Sequence, residues 1–308
     1  MRRPRLRIPY EWKSRSFWLE SGQAYLYLLP AIAILAVFTF YPFFSAFRLS
    51  LFKWSVVHPP GDYVGLSNYT KIFADKWFWN AVWNTFYYVA VSVPITLFLA
   101  LLIANLLNKP LKLRAFARTS FFLAYITPLV AVAMVWSWMY NWHFGLFNYI
   151  LGLFGGSLVN WLMDPKLSML TVIILSVWRF VGYQAIILLA GLQNIDKMYY
   201  DAAKVDGATG FRVWWHVTIP LLTPQIFFVF IMSMIGSFKV FTEIYVLFSG
   251  TPGPLKSAET LVYYILRKGR FDGSQLGIAA AASVFLFAVI FAFTIVQLLV
   301  TQRKVHYQ

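Results

Sequence analysis

Three ionisable side chains, Arg179, Lys239 and Glu243, stand inside runs that are otherwise apolar. On insertion scales a central Lys, Arg or Asp in a membrane helix costs roughly 2.5 to 3.5 kcal/mol, so each of the three must face protein or water. Lys239 and Glu243 are four residues apart, a spacing at which opposite charges on one helix turn neutralise each other. Other chemistry is scarce. The chain has no cysteine, which removes disulfides, thiolate nucleophiles and cysteine-bound metals together. His58, His143, His216 and His306 are scattered singly, without metal-ligand spacing, and read as packing residues among aromatic side chains. Neither GxSxG nor HExxH occurs, and the dipeptide Gly-Lys is absent, so there is no P-loop for nucleotide.

The elements that would position these charges are membrane spans. With 60% hydrophobic, 20% aromatic and 12% charged residues among 308, the composition is far from the roughly 25% charged content of soluble domains. Mean hydropathy is +0.66. Six apolar runs approach or exceed the ~20 residues a helix needs to cross a bilayer: about 25–47, 81–107, 119–141, 168–190, 225–248 and 276–301. The expectation is an all-α, polytopic membrane protein of six transmembrane helices, with residues 1–24 and 302–308 as terminal segments. The first run is too long for a signal-peptide core and reads as a retained helix. The net charge of +15 would suggest nucleic acid in a soluble protein. Here the basic residues lie mostly between spans and act as topology signals, which leaves no nucleic-acid partner. Segments 1–24, 108–118, 191–224 and 302–308 carry 15 Lys and Arg, against 9 on the other side. The positive-inside rule then places both termini and the 191–224 loop in the cytoplasm. Arg267, Lys268 and Arg270 run against this bias and read as snorkelling at the outer interface, beside a short helix in LVYYILRKGRF. Pro30, Pro42, Pro94 and Pro128 interrupt the spans, where each removes a backbone donor and can kink its helix.

The stretch YYDAAKVDGATGFRVWWHVTIP, Tyr199 to Pro220, cannot enter lipid. Asp196 is placed as an N-cap, and strong helix formers follow for about three turns. Ala203 and Gly207 are four apart and share a face on which lack of bulk permits close approach. Gly207 and Gly210 should then turn the chain, with FRVWWHV leading back to the membrane. A short helix, a glycine turn and a second helix suggest a docking element.

These residues resemble the cytoplasmic loop of the membrane subunits of binding-protein-dependent ABC importers. That loop carries an EAA signature, a following glycine and an Ile-x-Leu-Pro ending. Asp201, Ala202, Ala203 and Gly207 match the first part, and Val217, Ile219 and Pro220 the second, with conservative changes and no gaps. YVGLSNYTKIF (63–73), WNAVWNTFYY (79–88), LAGLQNI (189–195) and ETLVYYI (259–265) are similar to the sugar-type subfamily, which serves oligosaccharides, sugar alcohols and glycerol 3-phosphate. The resemblance implies a permease subunit in a bacterial or archaeal cell membrane, without enzymatic activity. It implies a second homologous permease, two ATPase subunits that bind ATP and Mg, and an extracytoplasmic binding protein that delivers a carbohydrate-like solute. Asp201 would pair with a basic residue of the ATPase. Ala202, Ala203 and Gly207 would allow close packing, Tyr199, Tyr200 and Val205 would supply apolar contact, and Pro220 would close the motif. In the membrane, SFKVFTEIY (237–245) would line the pathway, with Phe238 or Phe241 stacking on a sugar ring. Arg179, Tyr183, Lys239, Glu243 and Tyr245 would share that lining. A structural ion pair of Lys239 with Glu243 and an interhelical salt bridge of Arg179 stand as alternatives. A stand-alone secondary transporter using Arg179, Lys239 and Glu243 is the rival function; it would show broken helices in repeated halves and need no docking loop.

Overall fold

The computed structural model describes residues 15–54, 61–110, 112–272 and 275–302. Residues 1–14, the tail from 303 to 308, His58 and His306 lie outside the described residues. In chain order the helices are α1 (Arg15–Leu35), α2 (Tyr41–Ser50), α3 (Ser67–Ala74), α4 (Lys76–Asn108), α5 (Arg114–Ile126), α6 (Leu129–Met139) and α7 (Leu146–Leu153). There follow α8 (Ser168–Gln193), α9 (Lys197–Val205), α10 (Gly210–Val213), α11 (Ile219–Ser237), α12 (Thr242–Leu247), α13 (Leu261–Leu266) and α14 (Leu276–Gln302). Among the described residues, the sheet is a two-residue antiparallel pairing of Phe52–Lys53 with Asp62–Tyr63. Among the described residues, five helical stretches are long and apolar enough to cross a membrane: Ser21–Ser50, Lys76–Asn108, Ser168–Gln193, Gly210–Ser237 and Leu276–Leu299. The sixth span is not straight. Over the 119–141 run, α5 and α6 meet at 95°.

The central pair is α4 and α8. Val82, Val89 and Val93 of α4 cluster with Met169, Val172 and Leu175 of α8. Farther along both helices, Ala100, Ala104 and Leu107 cluster with Ala185, Leu188 and Leu192. The two helices are therefore parallel, and α4 ends at the same end of the bundle as α9. Apolar surface alone does not hold helices together in lipid; close backbone packing at small residues does. A methyl group added at Gly182 would lie 2.0 Å from the carbonyl oxygen of Phe121 on α5. One added at Gly191 would lie 2.6 Å from Cγ of Gln225 on α11. By contrast, none of the most hydrophobic window in Ser21–Ser50 is buried, and α2 rests against α14 at the periphery. Exposed Tyr27, Phe38 and Phe44 cost nothing there when the surroundings are lipid.

Pro30, Pro94 and Pro224 lie inside α-helices, whereas Pro42 and Pro220 follow widened turns. The Tyr41 amide bonds to the Ala36 carbonyl and the Ile219 amide to the Trp214 carbonyl, five residues back in each case. These π turns sit immediately before Pro42 and Pro220. They carry the chain past a residue that has no amide to donate.

At the end opposite α9, Arg267 and Lys268 do not snorkel. Arg267 Nε is 2.5 Å from Glu259 Oε1, and its Nη1 pairs with Asp272. Lys268 Nζ lies 3.4 Å from Asp75 Oδ2 and 3.5 Å from Asp272 Oδ2. Tyr264 donates its hydroxyl to Asp75 at 3.0 Å. Asp75 also caps α4 by accepting from the Trp77 amide at 2.9 Å. Arg267 and Lys268, two of the three bases that run against the charge bias, are thus paired with acids of the same face. Burial pushes the Asp75 carboxyl up, but the bonds from Trp77 and Tyr264 and the charge of Lys268 together hold it below its ordinary value. Burial raises the Glu259 carboxyl, and Arg267 offsets part of that rise.

Two outcomes are expected. Gly182→Ala should lower the thermal midpoint of the purified chain, at a cost of about 1–3 kcal/mol for overpacking. Gly152→Ala, where nothing lies within 4 Å, should leave it unchanged. For Asp75, whose folded value is depressed, stabilisation is present above the unfolded carboxyl range near pH 4 and is lost as pH falls through the lower folded value. The midpoint gap between wild type and Asp75→Asn should therefore narrow as pH is lowered from about 5 to about 3.

Candidate functional site

A cavity of about 340 Å³ lies among α4, α5, α6, α8, α11 and α12. Its aromatic walls are Tyr88, Tyr125, Phe180, Tyr183 and Phe241. Tyr125 and Tyr183 stack with ring centroids 4.2 Å apart. Hydroxyls come from Ser92, Thr96, Ser176, Ser233, Ser237 and Thr242. Gln184 is buried, donates to Ser233 Oγ at 2.8 Å and has no partner for Oε1. On α8, Ser176, Phe180, Tyr183, Gln184 and Ile187 recur at the spacing of one helical face. That periodicity was the available signal for Ser176 and Gln184, which an apolar span otherwise hides. Tyr88, Ser92, Tyr125 and Ser233 carry no local signal, because helices distant in sequence bring them together.

The expected pathway residues divide. Tyr183, Lys239, Phe241 and Glu243 line the cavity. Phe238 does not: it is 1% exposed and packs between Phe86 and Phe293, with both centroids 5.5 Å away. Tyr245 is also off the lining, in an aromatic group with Phe241 and Tyr263. The expectation that Lys239 and Glu243 share a helix turn is corrected. Helix α11 ends at Ser237 and α12 begins at Thr242, so Lys239 lies in the break. Among the described residues no ion pair joins it to Glu243. The break is held by Thr260, whose hydroxyl donates to the carbonyl of Val240 at 2.9 Å. Glu243, 6% exposed, occupies the first turn of α12 beside the cavity.

Arg179 is absent from the cavity lining and instead secures the bend between α5 and α6. Thr127 precedes Pro128 and takes an extended conformation, which ends α5. Two of the carbonyls at the bend accept from one guanidinium: Nη1 donates to Thr127 O at 3.1 Å and Nη2 to Tyr125 O at 3.2 Å. The same group lies 5.7 Å from the ring centroid of Tyr125. In place of the salt bridge entertained from sequence, the charge is met by backbone oxygens and a π face.

The loop residues form a closed unit. Asp196 caps α9 by accepting from the Met198 amide at 2.9 Å. Gly207 has φ +72°, and the Gly207 and Ala208 amides bond to Lys204 O and Ala203 O at 3.0 and 2.9 Å. This is a Schellman ending, in which a left-handed glycine satisfies the last carbonyls. Gly207 therefore stops the helix and turns the chain, as expected of it. Ala203 is buried, and α9 packs on the π turn at Trp214–Thr218. Thr218 Oγ1 donates to Tyr200 Oη at 3.4 Å, and Tyr199 and Tyr200 are half-buried. Asp201, Ala202 and Val205, the last 87% exposed, remain on the surface. Asp201 pairs with Lys204 at 2.9 Å, an exposed contact. Pro220 follows the π turn at the start of α11.

Replacing Arg179 by Met should loosen the bend and lower the thermal midpoint, by on the order of 2 kcal/mol for each charge-assisted bond lost. Arg179→Lys should fail to restore it, because an ammonium cannot span two carbonyls as the planar fork does.

Residues 72–306 match the family described as "Binding-protein-dependent transport system inner membrane component". The chain is 34% identical over 285 residues to the trehalose/maltose transport system permease protein MalF of Thermococcus litoralis, covering 92% of this chain and 95% of that one. It is 37% identical over 244 residues to the lactose transport system permease protein LacF of Rhizobium radiobacter, covering 78% and 81%. Among solved structures it resembles a chain of a bacterial alginate ABC transporter in complex with an alginate pentasaccharide-bound periplasmic protein. That likeness has a TM-score of 0.83 and 23% identity, covering 94% of this chain and 96% of the other. These likenesses support a permease subunit and not a stand-alone secondary transporter. With its bent α5–α6 span beside a cavity, the chain belongs to the binding-protein-dependent transport system inner membrane components, the multi-pass permease subunits of ABC importers, which are transport components and not enzymes.

Proposed function

We propose that this chain forms half of the translocation pathway for a carbohydrate-like solute and couples it to a separate ATPase through the 191–224 loop. The observation that carries this reading is the cavity, where flat aromatic faces and convergent hydroxyl and amide groups surround a space within the usual range for small ligands. Gln184 Oε1 is a ready acceptor for a solute hydroxyl. Relatives named for trehalose/maltose and lactose transport support the same solute class.

A second homologous permease completes the pathway. An extracytoplasmic binding protein delivers solute, as the complex with an alginate-bound periplasmic protein suggests by analogy. Two ATPase subunits hold ATP and Mg, since this chain has no P-loop. The charge bias orients both termini and α9 toward the cytoplasm. There the exposed Asp201, Ala202 and Val205 meet the ATPase with apolar contact from Tyr199, while α9 packs on the π turn that leads into α11, to which Tyr200 is bonded through Thr218. Asp201 exchanges its exposed Lys204 contact for a base of the partner at little cost, because such surface pairs are worth at most about 1 kcal/mol. Closure of the ATPase pair then moves α9 as a rigid piece and shifts α11 beside the cavity.

Gly207→Val tests the coupling. A β-branched residue at φ +72° is strained by roughly 1–2 kcal/mol, while open space around Gly207 spares the rest of the fold. Membrane levels of the variant should match wild type, whereas ATP-dependent solute uptake by the intact importer should be lost. Uptake at the wild-type rate would remove α9 from the coupling path.

A further inference from the structure

The turn between α4 and α5 carries a charge that the protein leaves unanswered. KPLKLRAFAR, residues 109–118, places Lys109, Lys112, Arg114 and Arg118 close together, and no Asp or Glu occurs between Asp75 and Asp164. Among the described residues none of the four enters an ion pair. Of the acids in the neighbouring loop, Asp196 caps α9, Asp201 holds Lys204, and Asp206 is exposed and joins none of the four in an ion pair among the described residues. Arg118 is the informative member. It is half-buried, and its Nε and Nη2, both buried, have no hydrogen-bond partner among the described residues. A topology signal needs charge in water and gives no reason to shield a guanidinium from it. An unmet buried charged donor is costly, so the arrangement implies an anion that completes it. Helical side chains lean toward the N-terminus of their helix, which aims Arg118 back at the end where Lys109, Lys112 and Arg114 lie.

The surroundings specify the anion's carrier. Leu113 and Phe116, set between the cations, are 72% and 71% exposed, directly beyond a membrane span. Cations beside exposed apolar side chains at a span end match a phosphate joined to acyl chains better than a free ion. We propose that the α4–α5 turn binds the phosphate of an anionic phospholipid in the leaflet at the α9 end. Arg118 donates to the phosphate oxygens from the packed side of α5, and Lys112 and Arg114 supply charge from the rim. Leu113 and Phe116 lie against the acyl chains.

The test uses the full-length chain purified with the partners that accompany it, in nanodiscs of phosphatidylcholine with increasing phosphatidylglycerol. Phosphatidylglycerol should raise the thermal midpoint of wild type. At about fivefold in lipid affinity per surface cation, Lys112→Gln should need about fivefold more phosphatidylglycerol for half of the rise. Arg118→Gln should abolish most of it. Lys112 is exposed, so its variant keeps the test decisive should Arg118→Gln fail to assemble. Inorganic phosphate added to phosphatidylcholine nanodiscs should leave the midpoint unchanged. Equal rises in wild type and Lys112→Gln would overturn the proposal, as would a full rise produced by inorganic phosphate alone.

Discussion

A backbone carbonyl that loses its helical partner inside a bilayer has no water to turn to, and this bundle is arranged around the few places where that happens. At Thr127–Pro128 the partner is Arg179, which crosses from α8 to meet two oxygens at once. At the end of α11 it is Thr260, which reaches the Val240 carbonyl from the segment before α13. Before Pro42 and Pro220 no outside group is needed, because π turns re-pair the amides. Irregular backbone survives at membrane depth only when something specific holds it, and here each interruption named has its holder.

The interruptions coincide with the cavity. Tyr125 and Leu129 flank the bend of α5 with α6, Lys239, Val240 and Phe241 form the gap between α11 and α12, and all five line the same space. A straight pair of helices would fill that volume with side chains. The bend of α5 with α6 and the stop of α11 at Ser237 withdraw backbone from this volume. The charged residue expected to line the pathway, Arg179, is consumed in making the pathway possible. Glu243 and Lys239 stay with the cavity because the break separates them from one another.

The two ends of the bundle are built on different physics. At the α9 end, order is local: an N-cap, a Schellman glycine and a small residue seat one short helix on a π turn. A unit closed by its own backbone bonds can transmit force without unravelling. At the opposite end, order is long-range. Asp75, Tyr264 and Lys268 tie the start of α4 to α13 and the segment after it, and Arg267 joins Glu259 to Asp272. Such a network couples the segments that follow α12 to the start of the central helix.

The sequence by itself determined where the apolar runs lie, the loop and its caps, because those depend on hydrophobicity and on residues within a few positions of one another; the fifth run, expected at 225–248, instead falls in a helical stretch from Gly210 to Ser237. Asp196, Gly207 and the apolar stretches could be read locally, Gly207 as the residue whose left-handed backbone turns the chain. Tertiary structure alone decided what the intramembrane charges do. The spacing of Lys239 and Glu243 suggested a pair only while the helix was taken as continuous, and Thr260, distant in sequence, holds it broken. Arg179 could not be assigned to the Thr127 carbonyl from sequence, since its partner is a backbone atom freed by Pro128 on another helix. Phe238 and Phe241 are chemically alike and near neighbours, yet one is core and the other lines the cavity. Which of them faces the cavity depends on where α11 stops, and contacts from the rest of the chain set that point.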